Sequence, residues 1–106
     1  MENPYIIVLV ATASKQEAEK IAQNLLKEKL IACANIFGPV TSHFHWSGKI
    51  ECSEEFLMIL KSRMDLFKRL SEAVCEMHSY KVPEILALPV VAGIKPYLDW
   101  MNDFLK

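Results

Sequence analysis

The segment 31–61 constrains this chain more than any other. Ala32-Cys33-Ala34-Asn35-Ile36-Phe37 and Val40-Thr41-Ser42-His43-Phe44-His45-Trp46 read as one extended arm, Ser47-Gly48 as a tight turn, and 49–61 as the returning arm. Gly38-Pro39 interrupts the first arm and predicts a bulge or bend, because proline donates nothing to a strand ladder. At about 3.3 Å per residue the returning arm spans roughly 43 Å, about twice an ordinary strand. Its outer half must overhang whatever sheet the inner half joins. Phe44, Trp46 and Ile50 cluster on that overhang, which therefore needs a second surface. Self-association in closed cyclic symmetry is the economical source.

Around the hairpin, short elements alternate. Residues 5–11 are apolar, β-branched and continuous, as in a central strand covered on both faces. Ser14 and Glu17 make a capping box ahead of Ala18, Ile21, Ala22, Leu25 and Leu26, predicting a helix over 15–29. Ser62 is the expected cap of a second helix with Leu66, Phe67, Leu70, Ala73, Val74 and Met77 on its buried face. A loop at 78–81 leads into an apolar segment, 82–92, whose Pro83 and Pro89 point to an edge or bulged strand. Pro96 opens a last helix bearing Tyr97, Leu98, Trp100, Met101, Phe104 and Leu105. The order β-α-β-β-α-β plus a C-terminal helix is that of an α+β, ferredoxin-like fold, an antiparallel sheet with helices on one face. With 106 residues there is too little chain for two self-sufficient cores, so 1–106 is expected to be a single domain.

Composition excludes several classes of function. A chain with 52% hydrophobic and 24% charged residues is too apolar for disorder. A net charge of −1 provides no bulk field to attract nucleic acid or anionic lipid. RNA-binding domains of this element order need aromatic rings on their middle strands, where this chain offers Tyr5 on one and the acid-rich Lys49-Ile50-Glu51-Cys52-Ser53-Glu54-Glu55 on the other. No apolar run approaches the roughly 20 residues of a membrane helix, and the N-terminus lacks the basic flank of a signal peptide, so a cytoplasmic setting is expected. Cys33, Cys52 and Cys75, with no C-x-x-C pair, read as free thiols in a reducing compartment and as small buried hydrophobes.

Two groups of residues carry chemical potential. His43 and His45, two apart on a strand, share a face and could grip one metal ion; with no third ligand adjoining in sequence, imidazoles that simply meet water on an exposed hairpin are the plainer reading. His78-Ser79-Tyr80-Lys81-Val82-Pro83-Glu84 brings an imidazole, a phenol and a carboxylate into one loop. His78 and Glu84 read as metal ligands, as acid and base, or as walls of a small-molecule cleft. Equally, His78 reads as a helix end and Tyr80 as a core plug, and spacing leaves these open. Lys49, Glu51, Glu54, Glu55 and Lys61 stud the returning arm as a solvated face. Lys61 is the exception, since it follows five apolar residues; if its ammonium is partly buried it needs a carboxylate such as Glu55 or Glu84, from its own chain or a neighbour.

Taken in order, Ala32-Cys33-Ala34-Asn35-Ile36, His45-Trp46-Ser47-Gly48-Lys49-Ile50-Glu51, the segment 55–61, His78 through Glu84 with Ile85-Leu86-Ala87-Leu88-Pro89, and Tyr97-Leu98-Asp99-Trp100 resemble the CutA (CutA1) divalent-cation tolerance proteins. The resemblance covers nearly the whole chain. It implies a ferredoxin-like subunit, a homotrimer joined by its long hairpins, kinship with the PII signalling proteins, and a link to copper and other divalent metals without a catalytic residue. It also implies an inter-subunit cleft lined by Cys33, Trp46, Lys49, Glu51, Glu55, Lys61, Tyr80 and Glu84. In the bacterial family copper binding is associated with a cysteine at the end of the first strand and histidines just before the tyrosine. This chain has Ala11 at the first place and Met77-His78 at the second, so His78 alone carries over as a candidate metal ligand, with Glu84 as a weaker one. The family's H-P-Y is His78-Ser79-Tyr80 here. The alternative is a PII-like sensor that takes a small metabolite or anion through Lys49, Lys61 and Tyr80. An enzyme using His78 as base beside Glu84 and Tyr80 ranks last, for want of an activated nucleophile or cofactor fingerprint.

Overall fold

A computed structural model describes residues 4–106. Four antiparallel strands form one sheet in the order β2-β3-β1-β4, with β1 at Tyr5–Thr12, β2 at Cys33–Trp46, β3 at Lys49–Arg63 and β4 at Ile85–Pro89. Helices α1 (Lys15–Lys27) and α2 (Phe67–Met77) follow β1 and β3, and α3 (Lys95–Asp103) closes the chain. This is the expected ferredoxin-like α+β arrangement. Strand alternation sends Ile6, Val8, Val10, Met58 and Leu60 to one face, where they are buried with Ile21 and Leu25 of α1 and Leu70 and Val74 of α2.

The other face is not covered by α1 or α2; only α3 reaches it, at the end where Lys61 and Arg63 bond to Tyr97 and Asn102. Ile7 and Leu9 of β1, paired with Lys61 and Ile59 of β3 and with Leu88 and Leu86 of β4, point to it, and Leu86 and Leu88 are exposed. The cover expected on both sides of β1 is therefore complete on one side only within a single chain.

The hairpin overhangs as its length requires. Pairing of β1 with β3 begins at Thr12↔Phe56, so 49–55 have only β2 for a neighbour. The molecule measures 45 × 26 × 23 Å with a radius of gyration of 14.5 Å, against about 13 Å for an ordinary domain near this length. A register shift between Phe37 and Val40 sets three steps of β2 against two of β3 and locates the bulge at Gly38-Pro39, whose peptide bond is cis. Ser47 and Gly48, at φ 49° and 75°, form the two-residue turn with the positive φ values of a type I′ hairpin.

Several boundaries differ from the sequence expectation. Ser62 caps no helix: it is buried within β3, opposite Ile6, and its hydroxyl donates to the Leu30 carbonyl at 2.6 Å. Pairing with β1 holds the strand as far as Arg63, and a single 3-10 turn at Met64–Leu66 precedes α2. Helix α1 stops at Lys27 because the chain turns left-handed at Lys29 (φ 58°). Lys29 N–H then donates to Leu26 O and Leu30 N–H to Leu25 O, a Schellman closure. The segment expected at 82–92 is strand only over Ile85–Pro89, since the two prolines that flank it lack a donor. Phe44 and Trp46 pair with Glu51 and Lys49, whereas Ile50 pairs with His45, so the three apolar tip residues divide between two faces. Cys52 and Cys75 are exposed rather than buried; all three cysteines are free. Helix α3 buries Met101, and Arg63 ties it down through Asn102 Oδ1 at 2.8 Å, while the rings of Tyr97, Trp100 and Phe104 follow one another at 5.5 Å spacings.

Candidate functional site

At the C-terminal end of α2 the backbone leaves the helix at His78, which becomes extended after its N–H closes on Val74 O. That turn carries the ring inward to the end of β1. His78 Nε2 donates to Ala11 O at 2.7 Å and Nδ1 accepts the Tyr80 N–H at 3.0 Å. The two bonds require the neutral Nε2–H tautomer and use both ring nitrogens. Glu17 stands beside the ring, with Oε2 3.7 Å from Nδ1. Its carboxylate accepts the Ser79 N–H at 2.6 Å and the Ala13 N–H at 3.1 Å. Partial burial pulls the Glu17 carboxyl upward, but the Ser79 and Ala13 donors outweigh it and hold its pKa below the ordinary 4.5.

The loop so fixed presents Tyr80. Its hydroxyl donates to Glu55 Oε2 at 2.7 Å and its ring lies 4.8 Å from that of His78. Loss of water, and then the Glu55 carboxylate, push the phenol pKa up to about 12, so Tyr80 remains a neutral donor at physiological pH. Glu84 is exposed and makes no hydrogen bond or ion pair among the described residues.

These residues do not fit a copper centre. A metal at either His78 nitrogen would displace a backbone hydrogen bond inside the fold, Ala11 has no donor side chain, and no hydrogen bond among the described residues fixes the Glu84 carboxylate. Among the described residues no three His, Cys, Asp or Glu side chains are grouped closely enough to hold a metal ion.

The other candidates share one face. Lys49, Glu51, Glu55 and Lys61 are alternate residues of β3 on the side away from α1 and α2, and cross-strand register adds Trp46 opposite Lys49 and Cys33 opposite Lys61. Among the described residues of its own chain, Lys61 meets no carboxylate. Its ammonium donates to Tyr97 Oη at 3.3 Å and lies 5.6 Å from the Tyr97 ring centre. The face is continuous, but Lys49 and Lys61 are about 40 Å apart along the strand, too far to line one small cleft in one chain. Two contributors escaped the sequence reading: Glu17, whose capping-box role accounts for only its local bond, and Tyr97, which the local pattern assigns simply to a helix.

The family model for the CutA1 divalent ion tolerance protein matches residues 6–104. The divalent-cation tolerance protein CutA of Archaeoglobus fulgidus is 46% identical over 99 residues, 93% of this chain and 96% of the relative. The corresponding protein of Thermus thermophilus is 39% identical over 97 residues, 92% and 94% of the two chains. Among solved structures, CutA1 from Oryza sativa superposes with a TM-score of 0.95 at 36% identity, covering 99% of this chain and 96% of its own. On sequence and fold together, this chain belongs to the CutA1 divalent ion tolerance family.

Proposed function

We propose that the chain acts as a homotrimeric, non-catalytic divalent-cation tolerance protein whose uncovered sheet face and overhanging hairpin close on sister copies. The observation that carries this reading is the distribution of Cys33, Trp46, Lys49, Glu51, Glu55 and Lys61: one face, but most of the hairpin's length. Such residues meet around a shared cleft only when the tip of one copy reaches the sheet of another. Free thiols at Cys33, Cys52 and Cys75 accord with a reducing cytoplasmic setting. Light scattering at micromolar concentration tests the assembly: a mass three times the 12.1 kDa chain is expected, and a 12.1 kDa species overturns it.

A PII-like sensor of a small anion is the second reading, favoured by Lys61. Its side chain is half-buried on this face, and its ammonium meets the Tyr97 hydroxyl rather than a carboxylate among the described residues, which leaves it available to an anionic ligand. Calorimetric titration separates the two. Copper or zinc heats that fall in His78→Asn would return the cleft to a metal role, against the two backbone bonds that occupy its ring. Phosphate binding lost in Lys61→Met favours the sensor, whether or not metal heats from elsewhere on the chain persist.

A further inference from the structure

Beyond the cleft, the outer hairpin sets metal-ligating side chains on the opposite surface. Register pairs His43 with Cys52 and His45 with Ile50, so strand alternation places His43, His45 and Cys52 together on the face away from Trp46, Lys49 and Glu51. All three are exposed, and His43 Nε2 stands 4.0 Å from Cys52 Sγ. Across a tetrahedral cation with metal–nitrogen bonds near 2.0–2.1 Å and a metal–sulfur bond near 2.3 Å, the two donor atoms would be about 3.6 Å apart. The pair is therefore within a few tenths of an ångström of chelating separation before anything binds. His45 lies two residues along the same strand, about 6.6 Å away along the backbone, with an exposed ring on the same face, and a change of rotamer is what would bring it to the pair. The ladder beneath is unbroken from Val40↔Glu55 to Trp46↔Lys49, so the donors stand on paired backbone.

We infer that His43, His45 and Cys52 form a binding site for a four-coordinate divalent cation of the zinc type, with water as fourth ligand. Two imidazoles and one thiolate are the donor chemistry such an ion selects. No three-donor group is assembled among the described residues, so the site requires His45 to turn in toward the His43–Cys52 pair on binding. Binding releases the Cys52 thiol proton to solvent. Glu54, the next residue on the same face, adds negative charge to the neighbourhood. The site does not depend on the cleft proposed above, because it lies on the other side of the hairpin and uses none of the same residues.

Cobalt(II) added to the reduced full-length protein is the probe. A thiolate-to-cobalt charge-transfer band with tetrahedral d–d absorption is expected, displaced by one zinc per chain. Cys52→Ser should abolish the charge-transfer band. His43→Ala and His45→Ala should each weaken cobalt binding by about tenfold or more, and Cys75→Ser should leave it unchanged. Persistence of the band in Cys52→Ser, wild-type affinity in either histidine variant, or loss of the band in Cys75→Ser overturns the site. Light scattering on the same samples separates lost metal binding from lost assembly.

Discussion

His78 is one node of a set of bonds that closes the α2–β4 loop against β1, and the energetics of that loop reside in charge as well as contact. Glu17 accepts two backbone N–H groups that would otherwise compete for its single neutral carbonyl if it were glutamine. Hydrogen bonds to an ionised acceptor are worth more than neutral ones, so Glu17→Gln should cost about 1 kcal/mol at pH 7. Because the folded state lowers the Glu17 pKa below 4.5, its stabilisation is fully present above that value and disappears as pH falls through the folded pKa. Urea unfolding across pH 7 to 3 should therefore show the gap between wild type and variant narrowing below pH 4.5. A gap that stays constant to pH 3 would deny the carboxylate its role. The sequence displayed this loop as a group of reactive side chains, yet it could not show where the His78 ring points. That is decided by Ala11, 67 residues away, and by Glu17 reaching Ser79 across 62.

At the level of elements, punctuation was legible where it is local. Gly38-Pro39 and Ser47-Gly48 announce a bulge and a turn because their backbone conformations exclude most other residues. Gly38 has φ 151°, and a Cβ there would lie 2.8 Å from Phe56 Cδ2 and 3.0 Å from Glu55 O. Gly38→Ala should cost about 1–3 kcal/mol in denaturant unfolding, through strain and displacement of Phe56. Ser62 was misleading for the opposite reason. A serine ahead of a helical pattern is a local signal, whereas the pairing that keeps it in β3 comes from Ile6 at the other end of the chain. The end of α1 was missed because its left-handed residue is a lysine, not the glycine that usually marks a Schellman closure. That exception predicts its own repair: Lys29→Gly should raise stability by about 0.5–1 kcal/mol, seen as a higher midpoint with an unchanged urea slope. An unchanged or lower midpoint would mean that the lost side chain matters more than relief of the backbone.

For the whole molecule, the sheet is finished on one face and unfinished on the other. The first face joins β1, β3 and two helices in a closed core; the second presents Leu86 at 57% and Leu88 at 49% exposure beside half-buried Ile7 and Leu9. Sequence patterning foresaw the excess, since 5–11 is apolar on both faces and the hairpin exceeds its sheet, but periodicity cannot say which chain supplies the cover. Leu88→Glu distinguishes assembly from folding. In a single chain this position faces water, so the subunit should keep its far-UV circular dichroism and unfold cooperatively. In a trimer closed through this face, each copy loses about 1.5–3 kcal/mol of apolar burial and also has to desolvate a carboxylate. The mass by light scattering should then fall from three chains toward one at micromolar concentration. A variant that remains three-chained would place the interface elsewhere, leaving the overhanging hairpin to find its partner without the open sheet.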